Sequence, residues 1–255
     1  MIVDPWFYIV AVPAVLIFGI SKGGFGGGLG ILAVPMMALV ISPVQAAAIL
    51  LPILCLMDLV GAWAYRGQWL WRELRLLLPA AIVGLAIGFL FFEYLSPAII
   101  RLLLGTVAVV FTLHYWLHKR FSGSAQKPLP AVAAYVAGVG GGITSFIAHS
   151  GGPMISMYLF RQNMDRKSFV ATTVFFFLVM NYAKLLPYGW LGQFDAGNLT
   201  TSLLLAPLAP VGVYAGVWMT DRVSDDLFYR IAYTLLFFVG LRLLYDGVTG
   251  LSALH

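Results

Sequence analysis

Two short glycine-rich stretches carry the side chains whose types and spacing could do chemistry. In ISKGGFGGGLG, residues 20–30, Lys22 stands among Ser21, Gly23 and Gly24. In AHSGGP, residues 148–153, His149 and Ser150 precede Gly151, Gly152 and Pro153. An ammonium surrounded by a hydroxyl and peptide N–H groups suits an anion, and an imidazole can donate to the same anion and titrate near neutral pH. A helix starting at each break, at about 24–28 and at 151–153, would add the positive end of its dipole. Pro153 fits a first helical turn, which needs no N–H there. Ordinary roles are open to the same residues: Lys22 could snorkel to water from an edge, and His149 could simply satisfy a backbone carbonyl. Met57-Asp58 and Met180-Asn181 recur at matching places downstream of the two breaks. Asp58, the one acid deep in an apolar run, could carry a coupling proton, pair with Lys22, or make a helix–helix hydrogen bond. Lys184, one turn beyond Asn181, either joins these groups or reaches outward.

Other chemistry is not legible. There is no Cys/His cluster with metal spacing, and GGFGGGLG lacks the strand–helix setting of a nucleotide fingerprint. No nucleophile–base pair stands outside the breaks. The expectation is no catalytic, metal or cofactor site, and not an enzyme. Cys55, the single cysteine, cannot form an intrachain disulfide and reads as an apolar filler.

The elements that must hold these residues are membrane helices. The chain has 255 residues, 61% hydrophobic and 10% charged, with mean hydropathy +0.94. Soluble domains carry roughly 25% charged residues. Long apolar runs cover 43–65, 73–94, 97–118, 167–190, 198–219 and 226–248, each long enough to cross a bilayer. Two shorter pairs remain, 7–20 with 24–41 and 130–147 with 151–161. Strict apolar/polar alternation is absent, which argues against a membrane barrel. The net charge of +5 does not mark a nucleic-acid binder, because Lys and Arg gather in short loops. These are Arg66–Arg75, Lys119–Lys127, Arg161–Lys167 and Arg222–Arg230, which the positive-inside rule places in the cytoplasm. Tyr and Trp at 63–71 and 188–190 read as an interfacial belt.

Repeat signals and loop charges together give the organisation. Gly30 answers to Gly152, Gly84 and Gly88 to Gly212 and Gly216, and Ser96 to Ser224. The four-residue glycine spacings favour close helix packing. Corresponding loops carry opposite charge: 66–75 is basic where 187–197 is not, and 161–167 is basic where 42–43 is not. The reading is an all-α, polytopic membrane protein of two inverted repeats, each a glycine-broken helical hairpin plus three transmembrane helices. Repeat one would span 1–118, a cytoplasmic linker 119–129, and repeat two 130–255. Each hairpin would enter and leave on one side, with both termini outside. Eight full crossings without re-entrant hairpins is the alternative.

The paired motifs carry a family resemblance. FGGGLGILAVP ends at Val34-Pro35, and HSGGP stands at 149–153. SPVQAAAILLPILCLMDLVGAW (42–63) is matched by DRKSFVATTVFFFLVMNYAK (165–184), and the last apolar run carries Leu-Arg-Leu-Leu at 241–244. From about residue 7 to 248 the sequence resembles the sulfite exporter TauE/SafE family of bacterial membrane permeases. The resemblance implies movement of a sulfur-containing anion across the inner membrane, in either direction: sulfite, or an organosulfonate such as sulfoacetate or an aryl sulfonate. His149-Ser150 in place of a fuller glycine run points to a larger or differently charged anion than plain sulfite.

The expectation is therefore a secondary permease that holds its anion between two hairpin tips and works by alternating access. Ser21, Lys22, Gly23, Gly24, His149, Ser150, Gly151, Gly152 and Asn181 would bind substrate, with Asp58 and Lys184 in coupling or support. A proton or sodium ion would be the coupling ion, and a homodimer is compatible with such motion. The rivals are an accessory membrane subunit, a membrane-embedded enzyme, and a transporter for another small solute.

Overall fold

The computed structural model describes residues 2–27, 30–92, 94–121, 128–219 and 222–252. Gly28 and most of the expected 119–129 linker lie outside the described residues. The described residues are helical, with no strand among them. Side-chain caps start the helices where the sequence changes character. Asp4 accepts from the Trp6 N–H at 3.0 Å and precedes α1 (Pro5–Gly24). Ser42 caps α3 (Pro43–Ala64) through the Gln45 N–H at 3.1 Å. Asp165 caps α8 (Arg166–Trp190) through the Ser168 N–H at 3.0 Å, and Asp195 caps α9 (Ala196–Leu205) through the Asn198 N–H at 2.9 Å.

Among the described residues, eight helical stretches are long and apolar enough to cross a membrane. They are α1, α3, α4 (Trp71–Phe92), α5 (Pro97–Phe121), α6 (Ala131–Ala148), α8, the pair α9 and α10 (Leu208–Met219), and α11 (Asp225–Ser252). Large apolar side chains such as Leu90, Val136, Leu186, Leu203 and Phe238 point outward, as lipid-facing residues must. The six long runs expected from sequence lie within a few residues of these helices.

The first member of the first short pair differs from expectation, whereas α6 lies within one residue of the expected 130–147. α1 does not stop at 20 but continues through Ser21-Lys22-Gly23-Gly24 for 20 residues. The continuation has a packing cause. α1 lies parallel to α10, and a Cβ on Gly19 would come within 2.9 Å of the Gly212 Cα. Gly216 packs on Ile20 and Gly24 in the same groove. Glycines that weaken an isolated helix thus let two backbones touch. α6 runs parallel to α4 in the same manner, with Gly138 on Ala80 and Gly88 on Phe146.

The second members are short. After the first break come a 3-10 turn, Gly30–Leu32, and α2 (Ala33–Met37). After the second come α7 (Gly152–Leu159) and a 3-10 turn, Phe160–Gln162. Among the described residues no helix starts at 24–27, where α1 ends and a turn follows, so no helix N-terminus points its dipole from there. Lys22 sits in the last turn of α1, at the helix end that favours a cation. In the second break the expectation holds: Pro153 lies in the first turn of α7.

α3 and α8, the most buried of the long helices, cross antiparallel at the centre, where Gly61 meets Val174 and Asp58 meets Asn181. α5 and α11 pair antiparallel at the flank through Gly105 and Gly240, with Tyr115 stacked on Tyr233 at 4.3 Å.

Candidate functional site

α3 and α8 bring a buried polar cluster together between the two breaks. Lys22 Nζ forms an ion pair with Asp58 Oδ1; Lys22 is 3% exposed and Asp58 fully buried. The ammonium also lies 3.5 Å from the Leu54 carbonyl and over the rings of Phe18 and Phe177, at 5.6 and 5.9 Å. The other carboxylate oxygen accepts from Asn181 Nδ2 at 2.6 Å. One turn on, Lys184 is fully buried and does not reach outward. Its Nζ donates to Ser145 O and Ser145 Oγ, both at 3.1 Å, and lies 2.8 Å from His149 Nδ1.

His149 is anchored from its other side. Nε2 lies 2.9 Å from the Ala47 carbonyl, which can only accept, so Nε2 carries the proton and Nδ1 is the acceptor for Lys184. His149 thus satisfies a carbonyl and joins the cluster at once. Its backbone is left-handed, φ 52°, at the C-cap of α6; Gly26 and Gly27 take the same region, φ 68° and 69°, in the first break. This geometry is what turns the chain out of each helix. Phe18, Lys22, Gly27, Leu54, Ser145, His149, Phe177 and Asn181 line a small cavity between the breaks.

The remaining residues expected at the site have other positions. Ser21 is buried, and its carbonyl accepts the N–H groups of Phe25 and Gly27, both at 2.9 Å. Gly23 and Gly24 lie inside α1, so their N–H groups belong to the helix ladder rather than to a ligand. Their carbonyls serve as anchors: Gly23 O accepts from Tyr65 Oη at 2.5 Å and Gly24 O from Arg166 Nη2 at 3.1 Å. Ser150 Oγ turns back to Ala148 O at 3.0 Å. Gly151 caps α7, and a Cβ there would meet the Gly141 carbonyl at 2.5 Å. Gly152 begins α7, where first-turn N–H groups have no helical partner.

Sequence reasoning missed Ser145, Phe18 and Phe177. Tyr65 and Tyr188, read as part of an interfacial belt, are instead buried anchors, and Tyr188 donates to Phe146 O at 2.7 Å. A signal for Ser145 existed. It lies 123 positions beyond Lys22, the offset that also relates Asp58 to Asn181.

Comparison with known proteins identifies the family of the chain. The family model for "Sulfite exporter TauE/SafE" matches residues 11–243. A protein of Cupriavidus necator described as "Probable sulfite/organosulfonate exporter TauE" is 24% identical over 236 residues, covering 89% of this chain and 88% of that one. No solved structure matches. The chain therefore belongs to the sulfite exporter TauE/SafE family, as a multi-pass protein of the bacterial inner membrane.

Proposed function

We propose that this protein is a secondary transporter that moves a small sulfur-containing anion, chemically unchanged, through the buried cluster between its two helix breaks. The observation that carries the reading is the cluster itself: two lysines, an imidazole and an Asp–Asn pair, all nearly or fully buried, at the meeting point of broken helices. Ionisable groups at membrane depth are costly, and broken backbone there is tolerated where it lines a cavity. The family description and the printed name of the Cupriavidus necator relative supply the substrate class, sulfite or an organosulfonate.

Two inverted repeats, 1–118 and 130–255, are the organisation that fits best. Three pairings at one offset of 123 support it: Asp58 with Asn181, Tyr65 with Tyr188, and Gly23 with Phe146. The Tyr65–Gly23 and Tyr188–Phe146 hydrogen bonds are thus the same contact made twice. The first lies at the end carrying the basic loops, beside the Arg166–Gly24 contact. The second lies at the opposite end. α1 and the 25–42 return, like α6 and the 149–165 return, then enter and leave on one side. Alternating access follows if the two ties release in turn, exposing the cluster first to one face and then to the other. A labelled sulfite or alkanesulfonate should leave proteoliposomes intact and only when the protein is present. Release of a chemically altered product would replace transport with enzyme chemistry.

A further inference from the structure

We infer that the outward face of α11 is the contact between two copies of this chain, in which each copy's Arg242 reaches the Asp246 of the other. The inference is independent of what is transported. α11 uses one side within its own chain: Gly240 packs on Gly105 and Ala108 of α5, and Gly247 on Leu102. The opposite side carries Ile231, Leu235, Phe238, Arg242, Tyr245 and Thr249, all exposed and facing lipid in a single chain. Their spacing alternates between four and three residues, which is the seam along which two helices pack with a left-handed twist.

A single chain leaves a charge in that seam at lipid depth. Arg242 lies near the middle of the Arg230–Ser252 span, with its side chain 64% exposed. Ten residues separate it from Ser252, about 15 Å of helix and the depth of half a hydrocarbon layer. Asp246, one turn on, takes one bond from Arg242 Nε at 3.2 Å. The Nη groups of Arg242 have no hydrogen-bond partner among the described residues; Tyr245 offers only its ring, at 5.6 Å. Hydrocarbon supplies no acceptor, so donors at this depth belong against protein or water.

The face itself says that the covering protein is a second copy. It carries both charges, one turn apart. Two such helices related by an axis along the membrane normal run parallel and hold equal residues at equal depth. Either Arg242 then stands one turn from the opposite Asp246, the separation it already bridges within its own helix. The contact is self-complementary and closes at two copies. Polar contacts of this kind hold helices together where lipid removes the hydrophobic drive.

Two full-length chains with different tags, co-produced and extracted in native-lipid discs, test this. Wild-type copies should be retained by each other's tag. Asp246→Arg makes both positions basic and Arg242→Asp makes both acidic, so either variant alone should lose self-association about fivefold or more. Co-produced with each other, the two variants should regain it, although neither holds an ion pair within its own helix. Wild-type copies that do not associate, or a dimer indifferent to these changes, overturn the inference. A second arm serves if a charge variant does not fold. In a Cys55→Ala chain, Phe238→Cys should cross-link to itself in membranes under a membrane-permeant oxidant, whereas Leu203→Cys, also exposed but on α9, should not. No cross-link at Phe238→Cys, or equal cross-linking at both positions, overturns the inference as well.

Discussion

Breaking the Lys22–Asp58 pair from one side should cost at least as much as removing both partners. Lys22→Met leaves the fully buried Asp58 carboxylate with Asn181, at 2.6 Å, as its remaining described hydrogen-bond partner. Asp58→Asn leaves an ammonium that is 3% exposed beside the Leu54 carbonyl at 3.5 Å and two ring faces beyond 5 Å. Cation–π contacts contribute about 0.5–2 kcal/mol and do not replace a carboxylate. Each single change should therefore destabilise by about 3–5 kcal/mol, the cost of stranding one partner of a buried ion pair. The double variant Lys22→Met/Asp58→Asn strands neither charge and should be no less stable than either single variant, giving a coupling energy of at least about 3 kcal/mol. Unfolding by SDS in mixed micelles, run as a double-mutant cycle, measures each corner. Additive single effects, or single variants within about 1 kcal/mol of wild type, would refute the argument that burial makes this pair a unit.

Other outcomes follow from the same geometry. Gly19→Ala should loosen the α1–α10 contact and cost about 1–3 kcal/mol by overpacking, since its Cβ would lie 2.9 Å from Gly212 Cα; Gly189→Ala, which meets only a Phe194 ring carbon at 3.9 Å, should leave the melting temperature unchanged. Tyr65→Phe and Tyr188→Phe should each cost about 1 kcal/mol in the same unfolding assay, because each removes one hydroxyl-to-carbonyl bond to a helix end. Asp165 offers a pH test at the exposed start of α8, where the Ser168 hydroxyl and N–H hold its carboxyl below the usual carboxylate range. A depressed folded-state value gives stability that is present above the ordinary carboxylate pKa and lost as pH falls. The melting-temperature gap between wild type and Asp165→Ala should therefore close on acidification.

Much of this arrangement was legible in the chain, for identifiable reasons. Apolar runs of bilayer length place the six long spans within a few residues of their helices, because lipid requires each span to satisfy its own backbone. The recurrence of Met57-Asp58 as Met180-Asn181 pointed to the crossing of α3 and α8, where Asp58 and Asn181 meet. The length of α1 was not legible. Ser21-Lys22-Gly23-Gly24 reads locally as a helix breaker, and only the partner glycines on α10 make it a helix end instead. For the same reason the donor role expected of Gly23 and Gly24 gave way to packing and anchoring. Lys184 and His149 were visible as candidates, but their contact depends on a left-handed residue at position 149, which a non-glycine residue does not advertise. Ser145, a small residue in a glycine-rich helix, carries no charge signal and is found only by applying the repeat offset to Lys22.

The central claim is that a sulfur-containing anion occupies the buried cluster between the breaks, and locating a bound ligand tests it most directly. Crystals of the purified protein grown with bromoethanesulfonate would report both ends of the molecule, the bromine by its anomalous signal. The account predicts the sulfonate in the cavity lined by Lys22, Ser145, His149 and Asn181, with the bromine toward Phe18 and Phe177. A sulfonate bound elsewhere in the protein, with the cluster unoccupied, would contradict it.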